Sequence, residues 1–70
     1  MVDERVARVT RIIAASPKGF DHAVQVGFKR ASKTLRGITG IKVDDWRCKV
    51  EKGAIVEYRV TLHVFFVLET

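Results

Sequence analysis

The residues that could do chemistry are few. General acid–base work needs two carboxylates converging on one bond, and Asp44-Asp45 is the first pair to weigh. Adjacent side chains on a strand point to opposite faces, so these two read as solvated edge or loop residues. Ser16 and Ser32 are the only serines, and neither lies in a Gly-x-Ser-x-Gly elbow. Ser16, before Pro17, reads as a turn or capping residue. Cys48, the only cysteine, reads as a small buried hydrophobe rather than a reactive thiol. His22 and His63 have no partner at a metal-ligand spacing and read as ordinary surface or helix-face histidines. Neither an enzyme nor a metal site is expected.

Binding chemistry has more to draw on. Glu57, Arg59, Thr61 and His63 fall at two-residue intervals on one strand face, which makes either a cross-strand salt-bridge ladder or the polar wall of a ligand site. Trp46 is a packing or interface residue, with a stacking platform as its alternative role. Lys29, Arg30, Lys33 and Arg36 crowd eight residues; matching of a helix dipole plus a solvated face explains them without nucleic acid. Gly37-Ile38-Thr39-Gly40 matches the Gly-x-x-Gly of nucleic-acid-clamping loops, but those join two helices and this one joins a helix to a strand. The formal net charge of +5 and a pI near 9.9 invite an acidic partner, and the reading favours a small anionic ligand over nucleic acid.

Four elements must position these residues. Arg5 to Ala14, rich in Val, Ile and Thr, predicts a strand running into the turn Ala15-Ser16-Pro17-Lys18-Gly19. From Phe20 the period changes to that of a helix, with Phe20, Val24, Gly27, Phe28, Ala31 and Leu35 on one face and Gly37 as its stop. Gly40 to Val50 reads as a second strand whose apolar face switches between Val43 and Trp46, which predicts a bulge or bend there. Glu51-Lys52-Gly53 reads as a hairpin loop with a G1 bulge. Ala54 to Leu68 alternates without a break, the pattern of one strand of about 14–16 residues, near 50 Å at roughly 3.3 Å each. The expected fold is α+β: one domain, residues 1–70, with a three-stranded antiparallel sheet wrapped around one helix.

Seventy residues, 47% of them hydrophobic, suffice for one small domain and exclude a multidomain enzyme. A core of this size contributes only about 3–5 kcal/mol unaided. With one cysteine no disulfide can help, and the last strand turns apolar on both faces at Phe65 and Val67, so neighbouring subunits are expected to cover it. A lone thiol fits a reducing compartment. Met1-Val2-Asp3-Glu4-Arg5 lacks the apolar region of a signal peptide and no run approaches a membrane span, so a cytoplasmic protein with no membrane partner is expected.

The order strand, helix, strand, strand resembles the dodecin family. The likeness is carried by Ala15-Ser16-Pro17 at that family's Gly-Thr-Ser turn, by Arg30-Ala31-Ser32-Lys33-Thr34-Leu35-Arg36, by Tyr58-Arg59-Val60-Thr61-Leu62 and by Phe66-Val67-Leu68-Glu69. It runs without a gap from about Arg8 to Glu69. The resemblance implies a non-catalytic hollow sphere of twelve identical subunits that stores or sequesters flavins (riboflavin, FMN or FAD), with coenzyme A or calcium held by related members. It also implies a ligand site at Gly40, Arg47, Arg59 and Phe65. The family's stacking tryptophan is here Gly40, and the glutamine of its Tyr-Gln-Val stretch is Arg59. Its Gly-Phe-Arg-Leu has become Phe65-Phe66-Val67-Leu68, and Arg47 is kept beside Cys48, where the family has glycine. The expectation is a dodecin-like shell whose flavin site is disabled or retuned. Two alternatives stand beside it: a structural or regulatory basic oligomer binding an acidic macromolecule, and a dodecin that binds flavin through another platform. Trp46 is the candidate for that platform, on the expectation that it shares strand parity with Gly40; six residues put it roughly 20 Å away at about 3.3 Å each, so it would replace the platform only across a subunit contact.

Overall fold

The computed structural model describes residues 6–68. The elements follow in the order β1 (Ala7–Ser16), α1 (Phe20–Thr34), β2 (Ile38–Glu51) and β3 (Ala54–Val67). All three strands are antiparallel in one sheet of order β1-β3-β2. The last strand, the most regular in sequence, is the central one. At 14 residues it matches the length its alternation predicts, and the fold is 57 Å along its longest axis.

Alternation sorts the sheet into two faces. Ile12, Ala14, Val60, Leu62, Ile41 and Val43 pack with Phe20, Ala23 and Val24 of α1 into the core. Val60, Leu62 and Val64 are almost fully buried, each worth about 1.5–3 kcal/mol on leaving water. Phe20 meets the rings of Trp46 and Tyr58 edge-on, both at 5.1 Å between centroids. The helix lies close to the sheet because Gly27 has no side chain. A Cβ there would stand 2.6 Å from Leu62 Cδ1 and 3.0 Å from Ala14 Cβ.

The helix differs from its expectation in two ways. The buried stripe is Ala23, Gly27 and Ala31, whereas Phe28 is 45% exposed: small residues let the backbones approach, and the large ring is left at the margin. The helix also ends before Gly37. Leu35 is its C-cap in extended conformation, donating its N–H to Ala31 O, and Gly37 turns the connection into β2 instead. At the other end the N-cap is Gly19, without a side-chain cap, so Ser16 is a turn residue and not the cap.

The bend expected in β2 is present. Val43 pairs with Leu62 and Asp45 with Thr61, leaving Asp44 as an extra residue. A second irregularity isolates Thr39, between the Ile38–Phe66 and Gly40–Phe65 pairs. The hairpin loop is tighter than a three-residue G1-bulge loop. Lys52 and Gly53 have φ of 51° and 77°, between the paired residues Glu51 and Ala54, which is the two-residue type I′ arrangement whose twist suits the strands. The expected first residue of β1, Arg5, and the end of the family likeness at Glu69 lie outside the described residues.

Candidate functional site

The face of the sheet turned away from α1 carries the polar residues. Across the strand order β1-β3-β2 its rows read Ala15–Arg59–Arg47, then Ile13–Thr61–Asp45, then Arg11–His63–Lys42, then Val9–Phe65–Gly40. Four of the expected site residues, Gly40, Arg47, Arg59 and Phe65, therefore share one face in two directly opposed pairs. Gly40 faces Phe65, and a Cβ built on Gly40 would stand 3.8 Å from Phe65 Cδ2, an ordinary contact with no other neighbour in reach. Arg47 faces Arg59.

Trp46 is not among them. The extra residue Asp44 reverses the parity of β2, so Trp46 faces α1 with Val60 as its partner, while Gly40 faces the other way. The shared parity expected for Gly40 and Trp46 is corrected by that bulge.

The register opposes Arg47 to Arg59 and Lys42 to His63, and although Lys49 stands opposite Glu57, the close side-chain ion pairs of these arginines and of Lys49 run along the strands. Arg47 Nε donates to Asp45 Oδ2 at 2.9 Å, Arg59 Nε donates to Glu57 Oε1, and Lys49 stands 3.5 Å from Glu51. Each pair joins residues two apart on one face of one strand. His63 Nε2, at 3.9 Å from Asp44 Oδ2, makes the single cross-strand ion contact among the described residues. The expected cross-strand ladder is thus replaced by pairs within strands. Two hollows flank this row. One of about 190 Å³ is lined by Arg11, Ile13, Asp45, Arg47, Arg59 and Thr61; the other lies over Arg47, Cys48, Lys49 and Arg59. Cys48 is exposed, not buried, because its face of β2 extends past the helix beside Tyr58.

A hydroxyl–imidazole pair that spacing did not reveal lies on the opposite side. Ser16 Oγ is 2.6 Å from His22 Nδ1 and accepts the Lys18 backbone N–H at 3.0 Å. Such a pair is the beginning of an activated nucleophile, but Ser16 is 2% exposed and its oxygen already holds two partners. It locks the β1–α1 turn onto the first helical turn. A larger groove, about 440 Å³, runs between β1 and α1 past Ile13, Val26, Gly27 and Leu35; it is largely apolar and holds no paired titratable groups. Among the described residues no three His, Cys, Asp or Glu side chains gather as metal ligands, and no helix is long and apolar enough to cross a membrane.

This β-α-β-β arrangement with its polar sheet face is one that known proteins share. The family model described as Dodecin matches residues 6–69. The chain belongs to the dodecin family. Dodecin of Thermus thermophilus is 32% identical over 65 residues, 93% of this chain and 94% of that one. The structure of dodecin from Streptomyces coelicolor superposes with a TM-score of 0.93 at 35% identity, covering 99% of each chain. A calcium dodecin from Mycobacterium tuberculosis, described as calcium-chelating with a novel calcium-binding site, superposes at a TM-score of 0.80 with 29% identity and 91% of each chain covered. The protein is accordingly a small ligand-binding protein of the dodecin type.

Proposed function

We propose that this dodecin is a non-catalytic subunit of a cytoplasmic homo-dodecamer that sequesters a small anionic ligand, and that its flavin site is retuned away from ring stacking. The observation that carries this reading is the Gly40–Phe65 pair. Where the family resemblance implies a tryptophan on β2 opposite a glycine on β3, this chain has the glycine on β2 and a ring on β3. Phe65 then fills the space into which the isoalloxazine would stack, and Arg59, six residues away along β3 at about 20 Å, offers only donors where glutamine could also accept. The surviving recognition chemistry is cationic, at Arg47 and Arg59.

Exposed apolar surface supports the assembly. Ile13 is 70% exposed and Val50 61%, with Val9, Trp46 and Ile55 each about half exposed; they occupy both sheet faces and the hairpin, more than α1 can cover. Light scattering at micromolar concentration should give a particle of twelve 7.9 kDa chains. A folded monomer would refute the assembly. The ligand reading is tested by extracting the purified protein and by fluorescence titration with riboflavin, FMN and coenzyme A. Binding of nucleic acid that falls steeply with salt, with no small molecule bound, would replace this reading by that of a basic oligomer for an acidic macromolecule.

A further inference from the structure

We propose that Arg11, Arg47 and Arg59, around the hydroxyl of Thr61, form a site for a small phosphoryl oxyanion of the pyrophosphate class, which binds without any ring. This deepens, and rests on, the reading of the open sheet face as a ligand site.

Three observations converge. First, the hollow lined by these residues holds three guanidinium groups against one carboxylate, that of Asp45. Arg47 and Arg59 are directly opposed across β2 and β3, an arrangement that destabilises a sheet when nothing lies between the charges. A polyvalent anion between them turns that repulsion into attraction.

Second, the donors are available. Both arginines engage their own-strand carboxylates through Nε alone, which leaves the terminal nitrogens of each for a ligand, and a guanidinium has five N–H donors in a planar fork suited to phosphate. Those ion pairs are partly to largely exposed and each is worth about 0–1 kcal/mol, so they hold the arginines in place without competing strongly. Arg11 has no ion pair at all among the described residues. Thr61, 7% exposed at the floor, makes no side-chain hydrogen bond among the described residues, which leaves its hydroxyl to donate to a ligand.

Third, the size of the hollow suits a small group. About 190 Å³ falls below the roughly 300–1,000 Å³ of pockets for drug-sized molecules, and no aromatic side chain lines it. One or two phosphoryl groups fit that volume and that charge.

The test is calorimetric titration of the assembled protein at low salt with pyrophosphate, inorganic phosphate, FMN and riboflavin, repeated with Arg11→Gln and Arg11→Lys. Arg11 is exposed and outside the core, and light scattering checks that the variants still assemble. Pyrophosphate should bind more tightly than phosphate, weaken at least tenfold in Arg11→Gln and recover in part in Arg11→Lys. Pyrophosphate that competes with FMN but not with riboflavin would identify the phosphoryl tail of a nucleotide as the source; pyrophosphate binding with FMN inert would identify the free anion. Pyrophosphate affinity unchanged by Arg11→Gln overturns the site. FMN binding without riboflavin or pyrophosphate binding overturns the site while the anionic-ligand reading stands; riboflavin binding without pyrophosphate binding overturns both, as does binding of none of these probes.

Discussion

Restoring a flavin platform tests whether this face has been retuned. The change is Gly40→Trp with Arg59→Gln and Phe65→Gly, compared with each single variant. Gly40 accepts a side chain at no steric cost to the backbone, since its only neighbour in reach is the Phe65 ring at 3.8 Å. A stacking ring is worth roughly 1–3 kcal/mol, or about 5- to 150-fold in Kd, and the triple variant should gain flavin affinity in that range. Gly40→Trp alone should gain little, because Phe65 keeps the place beside the new indole. Removing Phe65 has its own cost. Full burial of a phenylalanine is worth about 3–5 kcal/mol against alanine, and Phe65 is only half-buried, so about 2 kcal/mol is lost, with up to about 1 more for glycine inside a strand. The melting temperature must therefore be followed beside the titration, which reads quenching of flavin fluorescence. Tight quenching by the unmodified protein, weakened by Phe65→Gly, would refute the reasoning: Phe65 would then be a relocated platform, not a filler. Loss of that quenching on Trp46→Ala instead would move the platform to the helix-facing side.

The remaining expectations concern the scaffold. Val60 is 1% exposed between Ala14 and Trp46, so Val60→Asp buries an unpaired carboxylate whose penalty exceeds the core's own contribution of about 3–5 kcal/mol; circular dichroism should show no folded protein. Leu35→Asp should instead leave a folded protein with a lower melting temperature, because Leu35 is a half-buried capping residue outside the helical stripe; complete unfolding would show that its burial is underrated. Gly27→Ala sets a helix-propensity gain of about 1 kcal/mol against overpacking of about 1–3 kcal/mol from a Cβ 2.6 Å from Leu62 Cδ1 and 3.0 Å from Ala14 Cβ. A net loss is expected, and a raised melting temperature would mean that Leu62 has room to shift.

What the chain discloses in one dimension depends on how local the cause is. The alternation from Ala54 onward has a purely local origin, the period of two, and β3 follows it to the residue at its start. The bend near Asp44 is equally legible, since an apolar face cannot change parity without an extra residue. Its consequence was not, because counting residues from Gly40 to Trp46 assumes an unbroken pleat, and the bulge at Asp44 reverses it. The helix face was legible in part: Phe20, Val24, Gly27 and Ala31 do face the sheet. Hydrophobic periodicity weights Phe28 above Ala23, but α1 approaches the sheet most closely at Gly27, whose missing side chain admits Leu62 and Ala14, and there small residues form the buried stripe. The direction of the ion pairs was hidden as well. Which residue opposes Arg59 depends on the register of β2, and register places Arg47 there, so each arginine turns to the carboxylate two residues before it.

The two departures on the open face are linked by the same register. Gly40 and Phe65 are one cross-strand pair, Arg47 and Arg59 another, and both pairs share β2 and β3. Opposed side chains in such pairs lie about 4.5–5.5 Å apart at Cβ, so moving a ring from one strand to the other conserves aromatic volume in that row but changes where its π-face is presented. Exchanging a neutral amide for a guanidinium in the Arg47–Arg59 pair, at the other end of the same face beyond the His63 and Thr61 rows, replaces an acceptor there by a concentration of donors. A flavin ring presents both acceptors and donors along its edge and needs a flat surface; a phosphoryl group presents acceptors only and needs none. Arg11, contributed by the strand on the other side of β3, adds a third guanidinium to the same hollow. All three features act in the same direction, away from the ring and toward the anion. The long central strand is what brings them together, since it is the one element that pairs with both of the others.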